Sequence, residues 1–176
     1  MSSNNKIVRI VLSSMFLALA LVMPFFTAQI PRIGSALCPM HFPVLLCGFL
    51  CGPSDALIVG FVAPLLRFLL FGMPPILPSG IPMSFELATY GVLAGLLYRL
   101  FSTKKVNIYL ALTGAMIGGR IVWALSRVVL FGLGVAPFSL ELFIVNGFVN
   151  AIPGIIAQIV LIPVLVMSIR RNEYFR

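Results

Sequence analysis

The amino-acid sequence predicts an all-α integral membrane protein with six transmembrane helices and both termini in the cytoplasm. The first observation is composition: 61% of the 176 residues are hydrophobic and 9% are charged, whereas soluble domains are about half apolar and about a quarter charged. The second is that long apolar stretches recur along the chain, unlike a signal peptide followed by a soluble domain. The third is that most of the basic residues would lie on one face of the membrane. A lipid bilayer suits this composition, and the predicted location is the cell membrane.

Five apolar stretches are long enough to span a bilayer, since a helix needs about 20 mostly apolar residues to cross the hydrocarbon core. They cover residues 7–28, 55–71, 82–101, 108–131 and 138–169. A sixth apolar stretch, 38–52, is shorter and contains Pro39, His41 and Pro43. Its length alone does not show whether it spans.

The placement of basic residues favours a sixth span. If 38–52 crosses the membrane, eight of the twelve basic residues share one face, which the positive-inside rule assigns to the cytoplasm. These eight are Lys6, Arg9, Arg99, Lys104, Lys105, Arg170, Arg171 and Arg176. If it does not cross, the loop after the fourth helix lies opposite the amino terminus and the bias is lost. We therefore expect six helices in a single membrane domain that covers residues 1–176.

Turn residues support these boundaries. The sequence Gly-Pro-Ser-Asp at 52–55 predicts a tight turn in which Ser54 or Asp55 is the N-cap of the third helix. Gly-Met-Pro-Pro at 72–75 and Gly-Leu-Gly at 132–134 predict the ends of the third and fifth helices.

Apart from residues at the cytoplasmic ends of the spans, the ionisable side chains inside the predicted membrane region all fall in its outer half. Each costs about 2.5–3.5 kcal/mol at a helix centre, so such residues usually face a cavity or a partner. The predicted topology places Arg67 and Arg127 near the outer ends of their helices, with Arg120 about two turns deeper. The others are His41, Glu86 and Glu141.

Two helix faces combine polar side chains in a pattern typical of a ligand site. Met116, Arg120, Trp123 and Arg127 recur at spacings of four, three and four residues and share one face of the fifth helix. Asn146 and Asn150 are one turn apart on the sixth. Charged donors, an aromatic ring and amides suit a small polar ligand. The predicted binding residues are His41, Arg67, Glu86, Arg120, Trp123, Arg127, Asn146 and Asn150.

Structural roles remain open for several of these residues. Arg67 and Arg127 could reach the outer head groups, and Glu86 or Glu141 could pair with them. Arg120 is too deep for that, so it either contacts a ligand or forms a buried ion pair. The cysteines, Cys38, Cys47 and Cys51, are odd in number and lie in or beside an apolar segment, so we expect reduced packing residues, with no metal site and no cofactor.

Pairs of small residues four apart predict close contacts between helices. They are Ser14 and Ala18 on the first helix, Gly91 and Gly95 on the fourth, and Gly114 and Gly118 on the fifth. Each pair could pack within the chain. The first helix has no ionisable residue beyond Arg9, so Ser14 and Ala18 also form a candidate docking surface for another membrane protein.

Four segments of the sequence are similar to a known family. They are Ser-Met-Phe-Leu-Ala-Leu-Ala at 14–20, Pro-Met-His-Phe-Pro-Val at 39–44, Val-Ala-Pro-Leu-Leu-Arg-Phe-Leu-Leu-Phe-Gly-Met-Pro-Pro at 62–75, and Ser-Phe-Glu-Leu-Ala-Thr-Tyr-Gly at 84–91. With the length and the six predicted helices, they resemble the substrate-binding S components of energy-coupling factor (ECF) vitamin importers.

The resemblance implies a subunit that binds a water-soluble vitamin in its outer half, under the first and third extracellular loops. Such a subunit joins a transmembrane coupling subunit and two cytoplasmic ATPase subunits through its first helix, and reorients in the membrane to release the vitamin inside. The family's coupling motif has Ala at both small positions, whereas Ser14 occupies the first one here.

The charge of the predicted site bears on the ligand. Three arginines against two glutamates favour an anionic group, which among the vitamins indicates pantothenate. Glu86 and the asparagines would equally suit a neutral or basic ring, such as pyridoxine or hydroxymethylpyrimidine.

Other classes of function are less consistent with the sequence. It has no Gly-x-Ser-x-Gly, His-Glu-x-x-His or P-loop motif, so we do not expect an enzyme. The net charge of +8 is spread over runs of at most two basic residues, which does not indicate nucleic-acid binding. The remaining alternatives are a self-sufficient secondary carrier or channel, an intramembrane enzyme, and a structural or assembly protein.

Overall fold

The computed structural model describes residues 3–27, 37–101, 105–134 and 150–171, and these residues form helices and turns without any strand. We number the α-helices of this part α1 to α6 in chain order. They are α1 Ser3–Val22, α2 His41–Leu50, α3 Pro53–Phe71, α4 Ile81–Leu100, α5 Lys105–Gly132 and α6 Ile152–Arg171. A 3₁₀ turn, Met23–Thr27, follows α1, and a π-helical turn, Ile76–Gly80, leads into α4.

Five of the described helical segments are long and apolar enough to cross a membrane. They are Lys6–Phe26, Pro53–Phe71, Ile76–Leu100, Val106–Gly132 and Ile152–Ile169. The exception is α2, whose ten residues extend about 15 Å, half of the roughly 30 Å hydrocarbon core. Eight of these ten residues are buried, so α2 is enclosed by protein. A sixth span therefore stays a prediction, as does the side on which the termini lie.

The central helix is α4, which packs against α2, α3 and α5. Its contact with α3 is close because glycines stand where the two backbones meet. A methyl group added at Gly60 of α3 would lie 2.6 Å from the Leu87 carbonyl oxygen, and one added at Gly91 of α4 would lie 2.7 Å from the Ala56 methyl group. Side chains at these two positions would hold the helices apart.

The glycines of α5 receive side chains from α4. Leu97 and Leu93 point at the positions where Gly114 and Gly118 would carry a methyl group. Gly95 of α4 is similarly close to the backbone around Pro53. Internal packing, one of the two alternatives for these small residues, is therefore what the structure shows for α4 and α5.

The start of α3 differs from the prediction. The helix begins at Pro53 and its N-cap is Gly52, with φ 109°, so the prediction of Ser54 or Asp55 as N-cap is wrong. Proline is favoured at the first helical position because its φ is already helical. The N–H that proline lacks would have no hydrogen-bond partner within the helix at this position. Glycine readily adopts the positive φ of the preceding turn. Asp55 therefore lies within the first helical turn, where its carboxylate accepts from Arg9 of α1 at 2.6 Å.

Glycines end α3 and α5 as predicted. Gly72 caps α3 in the left-handed conformation, with φ 71°, and α5 ends at Gly132. The sixth predicted helix, 138–169, is described only in part. Asn150 and Ala151 form a turn and α6 begins at Ile152, while residues 138–149 lie outside the described residues.

Candidate functional site

A cluster of polar side chains is buried where α2, α4 and α5 meet. Glu86 of α4 and His41 of α2 are each 3% exposed, and Arg120 of α5 is 8% exposed. The Nη1 atom of Arg120 donates to Oε1 of Glu86 at 2.8 Å, and Nε2 of His41 lies 3.6 Å from the same oxygen. One carboxylate thus joins three helices. Of the two roles left open for Arg120, the structure shows the buried ion pair.

Two further residues of this cluster were not among the predicted site residues. Tyr90 lies one helical turn after Glu86 on α4, and its ring packs edge-on against His41 at 5.0 Å between centroids. Cys38 precedes α2 with φ 47°, and its Sγ atom lies 3.9 Å from Nη2 of Arg120. The spacing of four residues between Glu86 and Tyr90 was the signal available, because it places both on one face of α4.

Three buried polar atoms of the cluster have no hydrogen-bond partner among the described residues. They are Nδ1 and Nε2 of His41 and Nε of Arg120. The 3.6 Å separation between His41 and Glu86 is too long for a hydrogen bond. A buried polar atom without a partner costs about 1–3 kcal/mol. The cluster therefore contains donors and an acceptor that could bind a polar group of a ligand.

Arg127 and Trp123 lie on the same face of α5 as Arg120, nearer its carboxyl end. The guanidinium of Arg127 donates to the carbonyl of Pro78 at 2.9 Å and lies 5.9 Å from the centroid of the Trp123 ring. Arg127 thus connects the end of α5 to the π-helical turn before α4. Both side chains are partly exposed.

Arg67 has a separate set of contacts. It donates to the carbonyl of Leu21 at the end of α1. Its guanidinium lies 5.1 Å from the Phe25 ring centroid and 5.3 Å from that of Phe71. Arg67 is 3% exposed, so it is packed within the protein. In the structure Arg67 joins α1 to α3, and its contacts do not include the residues around Glu86.

Two predicted site residues remain, Asn146 and Asn150. Asn150 is exposed in the turn before α6. Asn146 lies outside the described residues, as does Glu141, so the predicted alignment of Asn146 with Asn150 stays a prediction.

Comparison with known proteins identifies the family. The family model for the substrate-specific component of ECF transporters matches residues 8–166, which include the buried cluster and most of α1. The chain belongs to this family. No curated protein and no solved structure matches it. Members of the family are transporter subunits and not enzymes, and membership implies partnership with membrane and ATPase components.

The first helix of this substrate-specific component has a large free face. Ser14 and Ala18 are both exposed, beside Val11 at 61% and Met15 at 47% exposed. In the candidate span that contains α1, 17% of the residues are buried, compared with 50% in the span that contains α4. The predicted docking pair is therefore not covered by the described part of the chain.

The three cysteines of the substrate-specific component are buried. Cys47 of α2 lies 4.0 Å from the Ser13 hydroxyl of α1, so it packs between these helices. Within the described residues no three His, Cys, Asp or Glu side chains are grouped so that they could hold a metal ion.

An open groove of about 330 Å³ lies between the start of α4 and the end of α5. Its lining is apolar except for Ser126, whose hydroxyl already donates to the Val122 carbonyl at 2.9 Å. Val122 and Ser126 lie on the face of α5 opposite Arg120, given 3.6 residues per turn. A polar ligand would find few partners there, so the buried cluster is the better candidate site.

Proposed function

We propose that this substrate-specific component binds a small water-soluble vitamin for ATP-driven uptake, with His41, Glu86, Tyr90 and Arg120 forming the base of the site. The observation that carries the proposal is the set of three buried polar atoms, at a junction of three helices, that have no partner within the described ranges. Such atoms are costly unless a ligand or water binds them. Trp123 and Arg127 would extend the site towards the end of α5.

The proposed orientation has six spans and both termini in the cytoplasm. It places His41 at the outer start of the second span and Glu86 near the outer start of the fourth. The eight basic residues that would share the cytoplasmic face support it. Cysteine introduced at Ser3 or Asn172 should react with an impermeant reagent only after the membrane is permeabilised. Labelling of either residue in intact cells would contradict the six-span arrangement.

Pantothenate is the ligand we favour. The Nη1 atom of Arg120 donates to Glu86, whereas its Nε atom has no hydrogen-bond partner among the described residues. The guanidinium therefore has a donor that suits a ligand carboxylate. Pyridoxine and hydroxymethylpyrimidine remain the alternatives, because the cluster also presents uncharged donors and acceptors.

The exposed face of α1 is the proposed docking surface for the transmembrane coupling subunit, which would connect the vitamin-binding subunit to two cytoplasmic ATPases. Ser14 and Ala18 permit a partner helix to approach the α1 backbone closely. The surrounding exposed residues of α1 are apolar, which suits a partner within the membrane.

The proposal is tested by binding and uptake with the purified protein. Alone in detergent, it should bind one of the three vitamins and carry it through purification, so that mass spectrometry of the denatured protein detects it. Alone in vesicles, it should retain the vitamin without concentrating it. Accumulation driven by a sodium or proton gradient alone would establish a secondary carrier instead, and absence of binding to all three vitamins would refute the proposed site.

A further inference from the structure

Glu86 lies between two donors that come from different helices. Its Oε1 atom accepts from Arg120 at 2.8 Å and lies 3.6 Å from Nε2 of His41. The other titratable groups that face it among the described residues are Tyr90 of α4 and Cys38, which precedes α2. The carboxylate is 3% exposed. Any change of charge at this site therefore has to be balanced by these few groups.

In the unliganded arrangement the charges of the cluster cancel. Glu86 contributes one negative charge and Arg120 one positive charge. An anionic ligand bound to the Arg120 guanidinium would bring a second negative charge into the same buried space. An unbalanced buried charge is far more costly than a balanced pair, and groups in this position usually change their protonation instead.

We infer that the site accepts an anionic vitamin together with one proton, which is held by the His41–Glu86 pair. The inference rests on the proposed function and specifies the form in which the ligand is bound. Arg120 transfers its hydrogen bond from Glu86 to the ligand carboxylate, and one proton passes from a buffer acid in bulk solvent to the imidazole or the carboxylate of the pair. The bond between the proton and the buffer acid breaks, one N–H or O–H bond forms on the pair, the buffer is left as its conjugate base, and the ligand itself is unchanged.

Of the groups that face Glu86, few can take up the proton. Arg120 is already protonated, and tyrosine and cysteine side chains ordinarily carry their proton at neutral pH. Histidine is the side chain that gains a proton most readily in this range. Both ring nitrogens of His41 lack a partner within the described residues, so one is free to receive the proton and the other to bind the ligand.

This coupling separates the candidate vitamins. Pantothenate carries a carboxylate and should bind with uptake of one proton, so its affinity should fall as pH rises, by up to about tenfold per pH unit. Pyridoxine and hydroxymethylpyrimidine bring no negative charge and should bind without uptake. The ion pair between Arg120 and Glu86 would then remain intact.

The test is calorimetric titration of the full-length protein in detergent, with pantothenate and pyridoxine, at one pH in two buffers of different ionisation enthalpy. For pantothenate, the difference in heat should correspond to one proton taken up per ligand, and for pyridoxine to none. Binding of pantothenate without proton uptake would overturn the inference and leave the proposed function standing. Binding of pyridoxine but not of pantothenate would also overturn the inference. Absence of binding to pantothenate, pyridoxine and hydroxymethylpyrimidine would overturn both the inference and the proposed function.

Two variants test where the proton resides. In Glu86→Gln no carboxylate is displaced, so pantothenate should bind without proton uptake and with an affinity that no longer depends on pH. In His41→Gln the imidazole can no longer take up the proton, so the pH dependence of pantothenate affinity should differ from that of the wild type. Asp55→Asn, which removes a carboxylate–arginine pair elsewhere, should leave the uptake at one proton. If both Glu86→Gln and His41→Gln take up as many protons as the wild type, the assignment of the proton to the His41–Glu86 pair would be overturned.

Discussion

Two helices of this substrate-specific component carry small residues at the same spacing, but their surroundings are opposite. Gly91 and Gly95 of α4 are buried, and a methyl group at Gly91 would lie 2.7 Å from Ala56. Ser14 and Ala18 of α1 are exposed on a helix that has few buried residues. The spacing of small residues indicates that another helix approaches closely. It does not identify whether that helix belongs to the same chain or to a partner protein.

The difference follows from the position of each helix. Since α4 is surrounded by α2, α3 and α5, its small residues are used within the chain. Within the described residues the main helix contacts of α1 are with α2 and α3, and its opposite face is exposed. Substitutions at the packed centre should therefore lower stability, whereas those on the free face of α1 should affect partnership and leave folding intact.

The largest effect is expected for Gly91→Leu. The new side chain would overlap the Ala56 methyl group and carbonyl oxygen, and the backbone of α3 cannot move away as a flexible side chain could. Overpacking typically costs about 1–3 kcal/mol, and we expect at least the upper end of this range here. The protein should lose its thermal transition in detergent.

The matched control for this prediction is Gly132→Leu at the end of α5. An added methyl group there meets no atom within 4 Å, so the melting temperature should remain near that of the wild type. Equal melting temperatures for both variants would contradict the central position of α4.

The second prediction concerns Arg120→Ala. Removal of the guanidinium leaves Glu86 buried without its partner, and breaking a buried pair costs about 3–5 kcal/mol. Ligand affinity should also fall, by about tenfold to a hundredfold, since a hydrogen bond to a charged group contributes about 1.5–3 kcal/mol. Melting temperature and affinity should both be measured.

A double variant separates these two effects. Replacing Arg120 and Glu86 together by methionine removes both charges, and well-packed apolar replacements of a buried pair are often neutral in stability. The melting temperature should recover while ligand binding stays lost. If binding recovers as well, neither residue belongs to the site.

The third prediction is that Ser14→Leu or Ala18→Leu abolishes transport by the complete complex while ligand affinity and melting temperature stay unchanged. Exposed substitutions usually change stability by no more than about 0.5 kcal/mol, but a bulky side chain would prevent close approach of a partner helix. Ser14→Ala keeps the position small and should support transport. Loss of ligand binding in the leucine variants would show that this face is packed within the chain.

The helices could be predicted from the sequence more completely than the contacts between them. Long apolar stretches identify spans, and glycines marked the ends of α3 and α5. The N-cap of α3 was misplaced because the side-chain preference of Ser54 and Asp55 was given more weight than the backbone preferences of Gly52 and Pro53. The capping preferences of neighbouring residues compete for the start of the helix. The ion pair between Asp55 and Arg9 also favours the position of Asp55 within the first turn.

The pairing of polar residues could be predicted only in part. The spacing along α5 correctly aligned Arg120, Trp123 and Arg127, since it depends on helical geometry alone. The partner of Arg120 is 34 residues away, and the choice between a ligand and Glu86 depends on how α4 and α5 pack. Arg67 lies near the carboxyl end of its helix, as the sequence indicated, yet its hydrogen bond to Leu21 arises from the docking of α1 on α3.

The smallest effect is expected for the ion pair that attaches α1 to the start of α3. Arg9 donates to the Asp55 carboxylate through Nε at 3.0 Å and Nη2 at 2.6 Å, and the two side chains are 33% and 24% exposed. Partly exposed pairs contribute about 0.2–1 kcal/mol and weaken with salt. Asp55→Asn should therefore lower the melting temperature only slightly at low salt, and the difference should shrink at high salt.

Exchanging the two residues, as Arg9→Asp with Asp55→Arg, should recover part of the loss. Because the pair fixes α1 to the bundle and lies outside the Glu86 cluster, ligand affinity should not change. A loss of affinity as large as that of Arg120→Ala would show that the free helix and the packed centre are coupled, and that α1 takes part in ligand binding as well as docking.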